Sequence, residues 1–124
     1  MRIEIPMLPP NECNPNWRGH WSQRYKASKS FRDAAHICYL AGSQRVAEPF
    51  LKAECSITLF IPSRRYIRDP DNAIASLKPA IDGCIDAGVI QGDDDEHLSY
   101  RLPIMYVIGK EKAPMTTLEF TGEQ

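Results

Sequence analysis

At 124 residues, 43% of them hydrophobic and 25% charged, the chain holds enough apolar material for one modest core and too much for a disordered segment. Its net charge of −1 singles out no partner, yet the signs are unevenly placed: residues 1–68 carry eleven Lys/Arg against five Asp/Glu, and residues 69–124 carry four against eleven. That division is expected either to set a basic surface beside an acidic pocket or to neutralise itself within one compact domain.

No apolar run reaches 18 residues and no basic-then-apolar leader opens the sequence. A single domain over 1–124 is therefore expected, cytoplasmic and without a membrane partner. Cys13, Cys38, Cys55 and Cys84 are widely spaced, with no paired-cysteine zinc signature, and are expected to be reduced, structural thiols.

Residues 2–7 (RIEIPM) alternate weakly and predict a first strand, ended by Pro9-Pro10. Residues 9–23 hold three prolines and three asparagines and predict a loop; its length exceeds a usual connection, which in compact domains points to function. Ser28 or Ser30 is the expected cap of a helix to about Arg45, with Phe31, Ala34, Ala35, Cys38 and Ala41 inward. Residues 52–61 (KAECSITLFI) alternate cleanly, placing Ala53, Cys55, Ile57, Leu59 and Ile61 on one face of a half-buried strand. Residues 99–108 and 116–121 predict two more strands, joined by Gly109–Pro114 as a hairpin. The order β-α-β-α-β-β implies an α+β domain: a mostly antiparallel or mixed four-stranded sheet with two main helices on one face.

Between the second and third strands, residues 67–98 hold eight of the sixteen acidic residues. Asp69-Pro70-Asp71 has the form of a helix start, with Asp at the N-cap and Pro at the first helical position, and Gly88 has the form of its stop. At 100° per residue, Ile74, Leu77, Ile81, Cys84 and Ile85 share one arc, with Asp71, Lys78 and Asp82 on its flank. Pro79 is expected to divide this helix, the second piece beginning near Lys78.

Two accounts fit these carboxylates. In one, Asp69 caps a helix, Asp71 complements the helix dipole, Lys78 and Asp82 form an i,i+4 pair, and Asp93 to Glu96 make a solvated turn. In the other, the carboxylates gather around a cation, because two of them about 4 Å apart repel by roughly 4 kcal/mol at an effective dielectric of 20. A hard divalent ion such as Mg²⁺ binds through one or two carboxylates, waters and phosphate oxygens. In phosphodiester hydrolysis such an ion activates water, and a nearby lysine stabilises the developing charge.

Asp69-x-Asp71-Asn72, Lys78-x3-Asp82, Ala87-Gly88-Val89 and the doublet Asp93-Asp94 together resemble the RusA family of Holliday junction resolvases. Arg64-Arg65 leading to Arg68-Asp69, and the Pro-Pro-x-x-x-Asn loop at residues 9–14, fit as well. The resemblance spans most of the chain, with the most specific part over 64–98. It implies a small, often prophage-borne, homodimeric, Mg²⁺-dependent endodeoxyribonuclease (Mn²⁺ substituting) that nicks four-way junctions symmetrically, with no small organic cofactor. By it, Asp69 and Asp71 are two catalytic metal ligands, Lys78 the catalytic lysine, and Asp94 the third ligand, with Asp93 or Asp95 as alternatives. Asn72 and Asp82 are supporting residues. The chain departs from the pattern in its longer Asn72–Lys78 interval and in its run of three aspartates.

A nuclease also needs phosphate contacts away from the ion. Residues 17–32 interleave Arg18, Arg24, Lys26, Lys29 and Arg32 with Trp17, Trp21, Tyr25 and Phe31, a mixture suited to branched DNA whose bases unstack. Arg18, Arg24, Lys26, Arg64, Arg65 and Arg68 are the expected DNA contacts. His20, His36 and His97 share no metal spacing, and His97 is an outer candidate beside the acidic run. The alternatives are a non-catalytic, phage-derived DNA-binding protein of the same fold and an acidic protein-interaction module.

Overall fold

The alternation in 52–61 is realised in full: Ala53, Cys55, Ile57, Leu59 and Ile61 are buried while Lys52 and Glu54 face solvent. The computed structural model, which describes residues 1–123, builds a mixed α+β fold around this strand. Strands β1 (Arg2–Ile5), β2 (Lys52–Ile61), β3 (Leu98–Ile108) and β4 (Met115–Glu123) form one sheet in the order β1-β4-β2-β3. Helices α1 (Trp21–Ala41), α2 (Pro70–Ser76) and α3 (Lys78–Asp86) complete the chain. Ile3, Ile5, Leu118 and Phe120 join the buried side chains of β2 in one core with Phe31, Leu77, Ile81 and Cys84.

The expected β3–β4 hairpin does not form. β4 pairs antiparallel with both β1 and β2, and β3 pairs parallel with β2. The reason lies in Pro103, which has no N–H to give a ladder and therefore suits an edge strand or a bulge. Ser56 pairs with Arg101 but Thr58 with Met105, so the chain around Pro103 is the irregularity in the β2–β3 ladder. β4 carries no proline and takes the interior place, its Thr116, Leu118 and Phe120 fully buried. Parallel pairing in turn requires a crossover, which α2 and α3 supply.

α1 begins at Trp21, well before the expected Ser28 or Ser30, and ends at Ala41, short of Arg45. His20 is the cap: the backbone N–H of Ser22 donates to its Nδ1 at 3.1 Å. Phe31 and Ala35 are buried as expected and Tyr39 joins them, whereas Ala34 and Cys38 are half-buried and Ala41 is exposed. The expected break at Pro79 is present, with Leu77 as the hinge between α2 and α3. Gly88, at φ +81°, closes α3 as expected: its N–H donates to Ile85 O and that of Val89 to Cys84 O, both at 3.0 Å. All four cysteines are free; burial pushes the Cys55 thiol up to about 12 and the Cys84 thiol further still. No described helix is long and apolar enough to cross a membrane.

α1 packs on α3, and Arg32 locks the pair at the rim by donating from Nε and Nη2 to Asp86 at 2.6 and 2.7 Å. This bidentate bond holds the Asp86 carboxyl below its ordinary range. Its contribution is therefore present above the unfolded carboxyl pKa and lost as pH falls through the lower folded value. Both groups are substantially exposed, so a double-mutant cycle on Arg32 and Asp86 is expected to return about 0.2–1 kcal/mol at neutral pH. The coupling should fade in acid; a value that survives complete protonation would refute the ionic account.

Candidate active site

The chain leaves β2 through a single 3-10 turn, Arg64–Tyr66, and enters α2 with Asp69 at the N-cap and Pro70 at the first helical position. Pro70 fixes the entry angle, and the backbone carbonyl of Asp69 takes the first helical bond from Ala73 N at 2.9 Å. The Asp69 side chain makes no capping bond, contrary to the cap account. Asp71 lies in the first turn, exposed like Asp69. Neither carboxylate has a hydrogen bond or ion pair among the described residues, so both are available to an outside cation.

Lys78 opens α3. Its Nζ donates to Asp82 Oδ1 at 2.8 Å and, across fifteen residues, to Asp93 Oδ2. Partial burial pulls the Lys78 ammonium down, but the hydrogen bonds to Asp82 and Asp93 and their charges outweigh it and hold the group above its ordinary value. The ammonium is thus fixed as a cation, and two carboxylates use two of its three protons.

The acidic run divides its roles. Asp93, 30% exposed at its side chain, turns in to Lys78. Asp94 turns out: it accepts the Glu96 N–H at 2.9 Å and meets His97 Nδ1 at 2.8 Å, and the His97 contact leads in holding its carboxyl below the ordinary range. Asp95 is exposed. Asp69 and Asp71 stand where the crossover leaves β2, and Asp93 where it returns to β3. Among the described residues no three acidic, imidazole or thiol side chains are gathered closely enough to share one ion. Topology explains this, since the crossover leaves β2 at one end of the sheet and enters the parallel β3 at the other, about a strand's length away.

A groove of about 550 Å³ runs between α1 and the α2–α3 crossover to Lys78 and Asp82, with Arg24, Lys29 and Arg32 along it. Of the expected DNA contacts, Arg24 is on this groove, while its Nη2 also donates to the carbonyls of Asn14 and Trp17 at 3.1 and 3.3 Å and its guanidinium lies over the Trp17 ring. Arg18 likewise touches loop carbonyls, at 3.4 Å or more, and Lys26 is exposed on α1. Arg64 and Arg65 are exposed in the 3-10 turn, Arg65 over the Tyr66 ring. Arg68 turns back to the N-terminal loop, Nη2 donating to Asn11 Oδ1 at 2.5 Å. Asn72 contributes its backbone carbonyl, which accepts from Ser76 Oγ at 2.7 Å.

Sequence reasoning missed Tyr100. Burial pushes its hydroxyl up to about 12, with the charges of Asp93 and Asp82 adding and Lys78 opposing, so it borders the lysine cluster. Its position beside Cys55 in the β2–β3 ladder is not visible until the parallel pairing is known.

The donor set fits the Mg²⁺ that the RusA resemblance implies. Asp69 and Asp71 are unengaged oxygen donors two residues apart, and Mg²⁺ needs only one or two protein carboxylates when phosphate oxygens and water complete its shell. No family model matches the chain. It is 34% identical over 96 residues to an uncharacterized protein of Xylella fastidiosa (strain Temecula1 / ATCC 700964), a match over 76% of this chain. The chain spans 61% of that relative's length.

Proposed function

We propose that the chain is a RusA-type, Mg²⁺-dependent, structure-selective endodeoxyribonuclease that resolves four-way DNA junctions by paired nicks, acting in the cytoplasm as a homodimer. The observation that carries this is the two unengaged carboxylates, Asp69 and Asp71, at the start of α2, followed in the same crossover by Lys78, which Asp82 and Asp93 hold as a cation on a groove that Arg24 also lines. The finer arrangement of that family, two main helices on one sheet face in the order β-α-β-α-β-β, belongs to the same reading. The single buried face of β2 supports it. Two-fold pairing of sites would match a two-fold substrate.

Asp69 and Asp71 would hold the ion, which when bound neutralises phosphate charge and lowers the pKa of water. Arg24 would meet the DNA backbone along the groove, with Lys29, which also donates to Asp33 at 3.1 Å, beside it. Lys78 presents its remaining proton to a phosphate oxygen or to the leaving oxygen, while Asp82 and Asp93 keep its ammonium aimed. Asp94, paired with His97, supports the turn that places Asp93.

Side-by-side incubation of four-way, flap and duplex DNA with and without Mg²⁺ tests the proposal. Cleavage of the junction in Mg²⁺ alone is expected. Mobility shift without product would favour the non-catalytic binder, and no affinity at low salt would leave the interaction module. Replacing Arg24 and Lys29 by alanine should reduce the slope of log affinity against log salt by about 2, one counterion-releasing contact each. An unchanged slope would remove the groove from the DNA path.

A further inference from the structure

One cavity that the carboxylate chemistry does not use adjoins Asp69 in the chain. About 220 Å³ in volume, it lies between the N-terminal loop and the later parts of β2 and β3, with Pro10, Ile61, Tyr66 and Tyr106 in its walls and Arg68 and Asn11 as polar members. Arg68 immediately precedes Asp69 in the chain. Its Nη2 is bonded to Asn11, but its Nη1 is shut off from solvent and has no partner, the one such buried side-chain nitrogen or oxygen found among the described residues. A buried charged donor left without an acceptor is unfavourable in a folded chain and calls for a cause.

We propose that this cavity receives a single unpaired nucleobase from the branch point of a DNA junction, with the Arg68 guanidinium turning so that Nη1 donates to an acceptor on the edge of the base. The inference rests on the nuclease reading and extends it to how the substrate is seated. The volume suits one ring system and excludes a duplex, and mostly apolar walls with two tyrosine rings suit a π-face. A phosphate is the poorer occupant, because apolar walls cannot replace its hydration. Bases at a branch point have fewer stacking partners to lose, so extrusion there is cheaper than from a continuous duplex. A phosphodiester beside Asp69 is one sugar away from its base, which matches the adjacency of Arg68 and Asp69.

The donor also sets a preference. A guanidinium only donates; adenine offers it ring nitrogens alone, whereas guanine, cytosine and thymine each present a carbonyl oxygen, the stronger acceptor. Guanine, cytosine or thymine should therefore be accepted over adenine.

The test uses the full chain in EDTA, so that no strand is cut, and junctions carrying a fluorescent cytosine analogue that keeps its carbonyl. At one branch-point position the fluorescence should change at least twofold on binding, and in the arms it should not. Adenine or an abasic site at that position should weaken binding about tenfold. In Arg68→Met and Tyr106→Ala the gap between carbonyl bases and adenine should close. Unchanged fluorescence at every branch-point position, with equal affinity for all bases and for the abasic site, would overturn the pocket; these wild-type measurements decide even if a variant fails to fold. Cleavage of the same junctions in Mg²⁺ is scored separately. Cleavage without fluorescence change or base preference removes the pocket and leaves the nuclease. Binding with both signals but without cleavage keeps the pocket and removes the nuclease. Loss of binding and cleavage together removes both.

Discussion

Asp71→Asn is expected to lower Mg²⁺-dependent junction cleavage by roughly 10³-fold, at the upper end of what one charge-stabilising group supplies, while junction binding persists. The amide keeps the shape and one oxygen but loses the charge that a hard cation requires. The fold should tolerate the change, because Asp71 is exposed and has no hydrogen bond or ion pair among the described residues. What the helix loses is a favourable first-turn charge worth about 0.3–1 kcal/mol. Single-turnover cleavage and mobility shift on one junction separate the two effects. Full activity in this variant would sink the carboxylate assignment, and loss of binding with loss of cleavage would show that Asp71 shapes the DNA surface instead.

Gly83→Ala is expected to destabilise the protein by about 1–3 kcal/mol or more, although alanine is the better helix former by about 1 kcal/mol. A Cβ at Gly83 would lie 2.2 Å from the backbone carbonyl oxygen of Arg32 and 3.0 Å from Ala35 Cβ. The first of these atoms belongs to the main chain of α1 and cannot rotate away, so the helix itself must shift. That shift would also disturb the Arg32–Asp86 bond at the rim. Denaturant unfolding should show the loss, and a melting temperature lower by roughly 5–15 °C should accompany it. A variant of equal or greater stability would mean that α1 and α3 do not meet at this glycine.

What could be read from the sequence was whatever local period or local chemistry encodes. The alternation of 52–61 names the buried face of β2 residue by residue, because period two and one-sided burial are the same fact seen twice. Pro79 announces the helix break, and Gly88 its end, because each acts through its own backbone. Strand order is of another kind. A period-two pattern states which face is buried but not which neighbour supplies the hydrogen bonds, so β3 and β4 looked like a hairpin when β2 parts them. The start of α1 was hidden for a simpler reason: residues 21–26 are mostly exposed, show no apolar period, and are capped by histidine, an unusual cap. At the site, Asp69, Asp71, Lys78 and Asp82 follow from helix signals. The separation of Asp93 from Asp94 does not, since adjacent aspartates in a turn differ only in where the backbone aims them.

The central position of β4 has a consequence for synthesis. β1 pairs with β4 alone, and Arg2 meets Glu119 across almost the whole chain. At translation rates of about 5–20 residues per second, β1 waits roughly 6–25 s for its partner to be made. Until then β2 presents an open edge on the side that β4 will fill, and the sheet cannot zip from the amino terminus. The nascent chain is therefore most exposed to wrong strand pairing just before β4 leaves the ribosome, and the long loops that must close make that step a slow one.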